Sequence, residues 1–284
     1  MTTIADLLRL AVEQLRTAGV ETPHLDARLL LGHVLGRRVW PHDRDAITED
    51  ARAAFEALLI RRMAREPVSR ILGHRGFWTL DMALGPETLD PRPDSETLIE
   101  AAVETFHNRP DPVRVLDLGT GTGCLLLAAL SEFPRASGLG IDRVAGAVTI
   151  ARQNAAANGL ADRARFEVAD WAHLVVEPAD LILCNPPYVE AGAMEDLMPE
   201  VASYDPPEAL FAGADGLDAY RKLAPLLESM LATSGVVVLE LGRGQRDAVA
   251  ALMTETGFTI VASRNDLSGV ARVFVLQRND IRAE

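Results

Sequence analysis

The sequence predicts an α/β protein in which a mostly parallel sheet follows a small bundle of helices. Apolar residues recur at helical intervals over residues 1–75, and a glycine-rich loop separates an apolar strand from a helix near residue 120. Further short apolar strands follow that loop. Strands alternating with helices are typical of parallel sheets, because each parallel strand needs a crossover connection. A chain of 284 residues is long enough for two domains.

Residues that favour helix ends divide the first 75 residues. The predicted starts are Thr3 (with Asp6 at capping-box spacing), Pro23 and Thr48, and the predicted ends are Gly19, Gly36 and Glu66, the last before Pro67. We therefore expect residues 1–75 to form a helical bundle. Such a bundle is either an inert packing domain or a platform on which a protein substrate docks, and we favour docking.

The α/β domain follows a short linker. Residues 76–90 predict a strand pair, a β-hairpin that connects the bundle to a domain spanning residues 91–284. Three late strands are expected at 236–241, 258–263 and 272–277. No helical segment separates the last two, so we expect them to pair antiparallel at the edge of the sheet.

The glycine-rich loop indicates a ligand site. A strand over residues 113–118 is followed by Gly119-Thr120-Gly121-Thr122-Gly123 and then by a helix from Cys124. Glycine lets the backbone turn tightly and approach a ligand closely. The spacing matches neither the dinucleotide fingerprint nor the phosphate-binding P-loop. The pattern Asp-x-Gly-x-Gly-x-Gly is similar to that of S-adenosylmethionine-dependent methyltransferases, whose ligand carries no phosphate.

Two acidic residues follow the next strands. Asp142 ends the strand predicted over 137–142, where an acid can accept both hydroxyl groups of a ribose; it can also cap the next helix. Asp170 and Trp171 follow the strand predicted over 164–169. A carboxylate and an indole there can bracket an adenine, although Trp171 can equally be a packing residue.

The segment Asn185-Pro186-Pro187-Tyr188 follows the buried strand predicted over 181–184. Two prolines donate no backbone hydrogen bonds and fix the chain in a rigid corner. We expect the Asn185 side chain and the Pro186 carbonyl group to accept hydrogen bonds from a planar NH2 group, with Tyr188 as a flat wall. That group is either an amide or the amine of a base, and an ordinary proline turn is the simpler alternative.

Composition excludes several classes of protein. No apolar run approaches the 18 residues of a membrane helix, and the first twenty residues predict an amphipathic helix rather than a signal peptide. Two cysteines in apolar surroundings, Cys124 and Cys184, favour a reducing compartment, so we expect a cytoplasmic location. Six scattered histidines show no ligand spacing, and we expect no metal site.

Charge differs between the two halves of the chain. Residues 1–75 contain 12 Arg and 10 acidic residues, a net charge of +2, and the whole chain carries −13, so the remainder carries −15. An acidic catalytic half is a poor match for the phosphate backbone of duplex DNA. We therefore expect no stable complex with nucleic acid.

Together these segments resemble the release factor glutamine methyltransferases, the HemK or PrmC family. The resemblance spans nearly the whole chain and is carried by the glycine loop, Asp170-Trp171, Asn185-Pro186-Pro187-Tyr188 and further segments: Glu66–Gly73 with Phe77-Trp78, Pro91–Glu96, Pro207–Leu210 with Gly213–Leu217, Glu240-Leu241-Gly242 with Gln245, and Asp266–Gly269 before Arg272. The segment around Pro91 is the most specific, whereas the proline corner is shared with amine methylases. Tyr204-Asp205-Pro206-Pro207 departs from the more polar segment expected there.

The resemblance implies a Rossmann-like class I methyltransferase domain with a seven-stranded, mostly parallel sheet and an antiparallel edge strand. It implies that the enzyme uses S-adenosylmethionine to methylate the side-chain amide of the glutamine in the Gly-Gly-Gln motif of class I peptide chain release factors. Asn185, Pro186 and Tyr188 are then the catalytic residues, and Pro187 joins them in binding the substrate. Residues 119–123, Asp142, Asp170, Trp171 and Asn185 bind the cofactor, and we expect a monomer.

Other functions remain open on the residues alone. The same corner serves adenine methylation of nucleic acid, and a ribosomal protein glutamine is another substrate with the same chemistry. A non-catalytic binding module with a degenerate fold is the third alternative, which the unbroken glycine loop and proline corner disfavour.

Overall fold

The computed structural model describes residues 2–266 and 268–279. Met1 and residues 280–284, at the ends of the two predicted domains, and Leu267, within the segment Asp266–Gly269, lie outside the described residues. The chain forms two compact units. One comprises the residues up to His74 together with Leu197–Tyr204, and the other comprises Arg75–Asp196 together with the residues from Asp205 onward.

Helices make up the first part of the described chain, and strands alternate with helices in the rest. The helices are α1 (Ile4–Thr17), α2 (Pro23–Leu35), α3 (Glu49–Met63), α4 (Val68–Leu72), α5 (Glu96–Phe106), α6 (Cys124–Glu132), α7 (Ala145–Ala157), α8 (Pro199–Tyr204), α9 (Asp218–Met230) and α10 (Arg246–Glu255). The strands are β1 (His74–Phe77), β2 (Leu80–Ala83), β3 (Arg114–Leu118), β4 (Ser137–Asp142), β5 (Ala164–Val168), β6 (Ala179–Cys184), β7 (Leu231–Glu240), β8 (Phe258–Asn265) and β9 (Ala271–Arg278).

The first three helices begin where their capping residues predict. Thr3 and Asp6 form a reciprocal capping box at α1, and Thr48 accepts a hydrogen bond from the backbone of α3. The helix α3 ends at Met63 rather than near Glu66, because Arg65 has a left-handed φ of 69° that stops the helix. The short α4 was not predicted, since five residues give too few turns for a periodic pattern.

The helical unit includes a segment from late in the sequence. Glu200 of α8 accepts hydrogen bonds from Arg65 Nη2 at 2.6 Å and from Arg62 Nη2 at 2.9 Å. The buried Arg62 also donates to Asp26 Oδ2 at 2.7 Å. Two carboxylates thus neutralise the buried guanidinium group, which would otherwise be costly to desolvate. The sequence did not predict that residues 197–204 belong to this unit.

The second unit is built on a seven-stranded sheet in the order β5-β4-β3-β6-β7-β9-β8. The five strands from β5 to β7 are parallel, and β9 runs antiparallel to both β7 and β8. The predicted fold class and the antiparallel pairing of the last two strands are confirmed. The chain reverses its direction of progress across the sheet between β3 and β6, the position where α/β folds bind ligands.

Side chains alternate between the two faces of this sheet. Val115 packs on one apolar cluster with α5 and α6, and Leu116 packs on the other with α9. The predicted linker hairpin is present as β1 and β2, but it starts at His74 and ends at Ala83, earlier than residues 76–90. In the described part of the chain, the helices are too short or too polar to cross a membrane.

Candidate active site

Four parallel strands bring their carboxyl ends to one edge of the sheet. Leu118 at the end of β3 is aligned with Ile141 of β4 and with Cys184 of β6. Cys184 is in turn aligned with Leu239 of β7. The residues that follow these positions are Gly119, Asp142, Asn185 and Glu240. The register of the sheet therefore places the glycine loop, two of the predicted site residues and a buried acid side by side.

Backbone hydrogen bonds hold the glycine loop against the end of β4. Gly119, Gly121 and Gly123 have positive φ values of 80°, 54° and 82°, which explains the choice of glycine at alternate positions. The N–H groups of Gly119 and Thr120 both donate to the Ile141 carbonyl group at 2.9 Å. The loop thus folds back on the end of β4.

Thr120 and the buried Asp117 fix the base of this loop. The Thr120 hydroxyl group donates to Asp117 Oδ2 at 2.6 Å, so this side chain points inward, while the Thr120 carbonyl group accepts from the Gly123 N–H at 2.7 Å. Burial raises the pKa of Asp117 to about 7, against the lowering effect of that hydrogen bond. Asp117 Oδ1 is also buried and has no hydrogen-bond partner among the described residues. The backbone N–H of Leu126, in the first turn of α6, also lowers the pKa of Asp117, so this carboxyl group faces the amino end of that helix.

Asp142 connects the loop to the helix after β4. Its Oδ2 accepts from the Gly121 N–H and its Oδ1 from the Val144 N–H, both at 2.9 Å. The alternative role as a helix cap is not formed, since the N-cap residue of α7 is Val144 and Asp142 bonds to the N–H of that residue, outside the helix. Each carboxylate oxygen can accept a second hydrogen bond, so these two contacts are compatible with the predicted ribose role.

Trp171 lies beside the glycine loop. A Cβ atom built on Gly119 would lie 3.5 Å from Trp171 Cζ2, which puts the indole ring against this glycine. Trp171 also contacts the apolar cluster under the sheet, so the packing role is present, and the adenine-binding role stays a prediction. Asp170 is exposed, and its Oδ1 accepts from the Ala172 N–H at 2.9 Å.

The proline corner presents two unused acceptors. Asn185 Nδ2 donates to Ser95 Oγ at 3.1 Å, which leaves Asn185 Oδ1 on the other side of the amide group. Among the described residues, no donor bonds to Asn185 Oδ1 or to the Pro186 carbonyl oxygen. Acceptors at adjacent positions on a rigid backbone suit a ligand with two N–H hydrogens on one nitrogen.

Tyr188 is fastened at both ends. Its carbonyl oxygen accepts from Gln245 Nε2 at 2.9 Å, and its hydroxyl group donates to Glu240 Oε1 at 3.3 Å. Burial, with the nearby Glu240 carboxylate, raises the pKa of Tyr188 well above its ordinary value, so the phenol is neutral at pH 7. Val189, the residue after the corner, forms a β-bridge with Phe211, which fixes the backbone where it leaves the corner.

A buried acid lies behind the corner. Glu240 is 1% exposed, and its Oε2 accepts from Ser95 Oγ at 2.6 Å. Burial raises the pKa of Glu240 to about 7, although the hydrogen bond from Ser95 and the charge of Arg272 lower it.

Sequence reasoning assigned no role to Ser95, Glu240 or Gln245, although all three belong to segments that carry the family resemblance. One local signal was available, an acid directly after the apolar run over 236–239. Ser95 gave no such signal, because its partners are distant in sequence.

Family models match both parts of the chain. Residues 6–73 match the PrmC N-terminal domain, and residues 111–232 match a methyltransferase domain. The second match contains the glycine loop and the proline corner.

Curated relatives match nearly the full length. A protein of Rhodospirillum rubrum named release factor glutamine methyltransferase is 51% identical over 268 residues, which are 93% of this chain and 82% of the relative. A protein of the same name from Cereibacter sphaeroides is 44% identical and covers 95% of this chain and 96% of the relative.

Solved structures agree in fold. A ribosomal protein L11 methylase from Lactobacillus delbrueckii subsp. bulgaricus has a TM-score of 0.51 at 22% identity, covering 69% of this chain and 84% of that structure. A methyltransferase from Pyrococcus furiosus has a TM-score of 0.52 at 17% identity, covering 79% and 98%. At these identities the likeness supports the fold alone.

Proposed function

Because this chain belongs to the release factor glutamine methyltransferase family, we propose that it methylates the side-chain amide of the glutamine in the Gly-Gly-Gln motif of class I release factors. The observation that carries the proposal is the pair of unused acceptors, Asn185 Oδ1 and the Pro186 carbonyl oxygen, on a corner fixed by two prolines. A glutamine amide has two N–H hydrogens to offer such a pair.

S-adenosylmethionine, when bound, supplies an activated methyl group on a positively charged sulfur atom. The residues at this sheet edge fit that molecule. The position of a Gly121 side chain has no atom within 4 Å, so the loop leaves space for a ligand. The Asp142 carboxylate is an acceptor for ribose hydroxyl groups.

The corner compensates for the weak nucleophile. An amide nitrogen is unreactive because its lone pair is delocalised into the carbonyl group. Acceptors on both N–H hydrogens orient the nitrogen, and these hydrogen bonds strengthen as positive charge develops on it during attack. Holding the amide in line with the methyl group also removes much of the entropy cost of the encounter. Tyr188 and Pro187 form the walls that keep the amide plane in place.

The helical unit is proposed as the docking platform for the release factor. A groove of about 560 Å³ lies on this unit. Its lining includes the apolar side chains of Leu25, Leu29 and Trp40 and the cationic side chain of Arg28. Leu25, Leu29 and Trp40 are each more than 40% exposed, and the Arg28 guanidinium group lies 4.8 Å from the Trp40 ring centre. A release factor segment with apolar and acidic side chains complements this surface.

In the cell, we propose that the enzyme acts as a monomer in the cytoplasm and forms no stable complex with nucleic acid. The free thiols of Cys124 and Cys184 are consistent with a reducing compartment. The acidic charge of the chain beyond residue 75 is consistent with a protein substrate rather than a nucleic acid.

Transfer of labelled methyl groups tests the reaction. The protein is incubated with methyl-labelled S-adenosylmethionine and, separately, with a release factor, with ribosomal proteins and with DNA. We expect label on the glutamine of the release factor, located by mass spectrometry. Label in DNA alone would favour adenine methylation and overturn the proposal, and label in a ribosomal protein alone would change the substrate.

The Asn185→Ala variant tests the amide clamp. We expect turnover to fall by about two orders of magnitude or more, because one acceptor on the reacting amide is lost, while the Kd for S-adenosylmethionine changes much less. Turnover equal to that of the unmodified protein would remove the clamp from the mechanism.

A matched pair of leucines tests the docking surface. Leu29→Ser should raise the KM for the release factor about tenfold, because it removes an apolar contact at the groove. Leu10→Ser is the control, since Leu10 is also an exposed leucine of the helical unit but does not line the groove. Equal KM values for the two variants would exclude docking at the groove.

A further inference from the structure

We propose that Glu240 is a positioning residue that sets the orientation of the Asn185 carboxamide through the hydroxyl group of Ser95. Its effect is that Oδ1 of Asn185, and not Nδ2, faces the amide of the substrate. This inference rests on the proposed function and deepens it, because it assigns the acceptor character of the corner to a residue behind it.

The ionised carboxylate of Glu240 determines the direction of each hydrogen bond. A carboxylate accepts hydrogen bonds and donates none, so at the 2.6 Å contact the single hydroxyl hydrogen of Ser95 points to Glu240 Oε2. Ser95 Oγ can then only accept from its other neighbour. The group at 3.1 Å from it on Asn185 must therefore be the Nδ2 amine.

The consequence reaches the substrate side of the corner. Oδ1 and Nδ2 lie on opposite branches of one planar group, so fixing Nδ2 on Ser95 fixes Oδ1 away from it. With the opposite orientation, Nδ2 would face the N–H hydrogens of the substrate amide, and donor would meet donor. Glu240 thus determines which orientation of Asn185 is stable before the substrate arrives.

Ser95 and Glu240 are each less favourable for local stability in this arrangement than they would be elsewhere. Ser95 occupies the N-cap of α5, where serine normally bonds to the first turn, yet its side chain makes no cap hydrogen bond. Glu240 is 1% exposed and Ser95 is 2% exposed, so the carboxylate has lost nearly all contact with water. Departures from local preference at one place are typical of a functional site.

The surroundings keep Glu240 in place. Its second oxygen accepts from the Tyr188 hydroxyl group, and its backbone carbonyl oxygen accepts from the Tyr220 hydroxyl group at 3.0 Å. Several titratable and charged groups face the carboxylate. They are Arg272 of β9, Asp94 beside Ser95, Tyr188 of the proline corner, Cys184 at the end of β6, Tyr220 of α9 and Cys124 of α6. Arg272 is the cation among them, and it favours the ionised form of Glu240 that orients Ser95.

Protonation reverses the sequence of hydrogen bonds. A neutral Glu240 can donate to Ser95, whose hydroxyl hydrogen is then free to point at Asn185 and to favour the inverted carboxamide. Burial raises the pKa of Glu240 to about 7, so this reversal falls within the range of an ordinary activity assay. We expect kcat to fall as the pH drops below about 7.

The test compares Ser95→Ala and Glu240→Gln with the unmodified protein, using an intact release factor and labelled S-adenosylmethionine. In both variants Ser95 Oγ is no longer forced to accept from Asn185 Nδ2. We therefore expect kcat to fall about tenfold or more while the Kd for S-adenosylmethionine stays within about twofold. The double variant should lose no more than the worse single variant, because both changes act through one pathway. Losses that multiply would overturn the proposal.

Two further measurements separate orientation from general packing. Thr105→Val is the matched control, since it removes a hydroxyl group of α5, the helix that follows Ser95, whose hydrogen bond goes to the Ala101 carbonyl group at 2.7 Å and not to the corner; it should retain kcat within about threefold. The low-pH decline of kcat should weaken in Ser95→Ala, because the charge of Glu240 no longer reaches Asn185. A decline unchanged by Ser95→Ala would exclude the relay.

The outcomes distinguish this inference from the proposed function. If the unmodified protein places no label on a release factor, the function itself is wrong. If it does so and both single variants keep the original kcat, the reaction stands and the positioning role of Glu240 is wrong. Should Glu240→Gln fail to fold, as a melting experiment would reveal, Ser95→Ala and its pH profile decide the matter alone.

Discussion

Gly121 donates its backbone N–H to Asp142 Oδ2 at 2.9 Å, which joins the centre of the glycine loop to the end of the neighbouring strand. The two residues are 21 positions apart, and the parallel register of β3 and β4 brings them together. One side chain therefore both shapes the loop and presents acceptors beside it.

We expect Asp142→Ala to weaken the binding of S-adenosylmethionine by about tenfold or more, because it removes the ribose acceptors and releases Gly121. Isothermal titration calorimetry measures the Kd directly. Asp162→Ala is the control for the loss of one negative charge, since Asp162 is exposed in a turn. An unaltered Kd in Asp142→Ala would count against the ribose role.

Gly216 supports the corner from behind, and we expect Gly216→Ala to impair both stability and turnover. Its φ is +70°, and an added Cβ atom would lie 2.3 Å from the Tyr188 carbonyl oxygen and 2.5 Å from Gln245 Nε2. Either the proline corner or the Gln245 side chain that donates to the Tyr188 carbonyl group must therefore move. Because a displacement of a few tenths of an ångström misaligns the reacting amide, kcat should fall about tenfold or more.

Gly257→Ala supplies the comparison for that measurement. Gly257 has a similar φ of +89°, but nothing lies within 4 Å of the added atom. It should cost about 1 kcal/mol of unfolding free energy from backbone strain and leave kcat nearly unchanged. If the two glycine variants had equal kcat values, the clash with Tyr188 would have no functional effect.

Glu200 is expected to stabilise the helical unit in a pH-dependent manner. Burial would raise its pKa, but the hydrogen bonds from Arg65 and Arg62 outweigh that effect and leave the pKa below its ordinary value of 4.5. A group with a lowered folded-state pKa contributes stability above its unfolded pKa and loses that contribution as the pH falls through the folded value. Glu200→Gln should cost about 1–3 kcal/mol at pH 7 and progressively less below pH 4.5.

Thermal or urea unfolding across pH 3–7 measures this difference. Glu13→Gln is the control, because Glu13 pairs with Arg16 on an exposed face of α1 and should cost about 0.5 kcal/mol or less. A Glu200 effect that is independent of pH would mean that its charge is not the stabilising feature.

Local patterns predicted the α/β unit well. The strand β4 has the predicted bounds because an acid ends it and a distinct loop precedes it, and the proline corner begins directly after β6 as expected. Thr3 and Thr48 indicated the starts of α1 and α3, since capping is a contact between near neighbours, and Pro23 indicated the start of α2, since its fixed φ suits the first helical position.

Contacts between distant residues were not predictable in this way. Ser95 and Glu240 are 145 positions apart, and Arg62 and Glu200 are 138 positions apart. Neither pair has a local signature, because each depends on where the sheet register or the chain path brings the partners. The predicted end of α3 is too late for a different reason, since the left-handed conformation of Arg65 is unusual for a residue with a side chain.

The membership of residues 197–204 in the helical unit bears on how the protein is synthesised. A fragment ending at residue 75 would expose Arg62 and Arg65 without the carboxylate of Glu200, so we expect it to be less stable than its size suggests. During translation this unit stays incomplete until about residue 204 has left the ribosome. We therefore expect the amino-terminal helices to reach their final stability only after most of the chain has been synthesised.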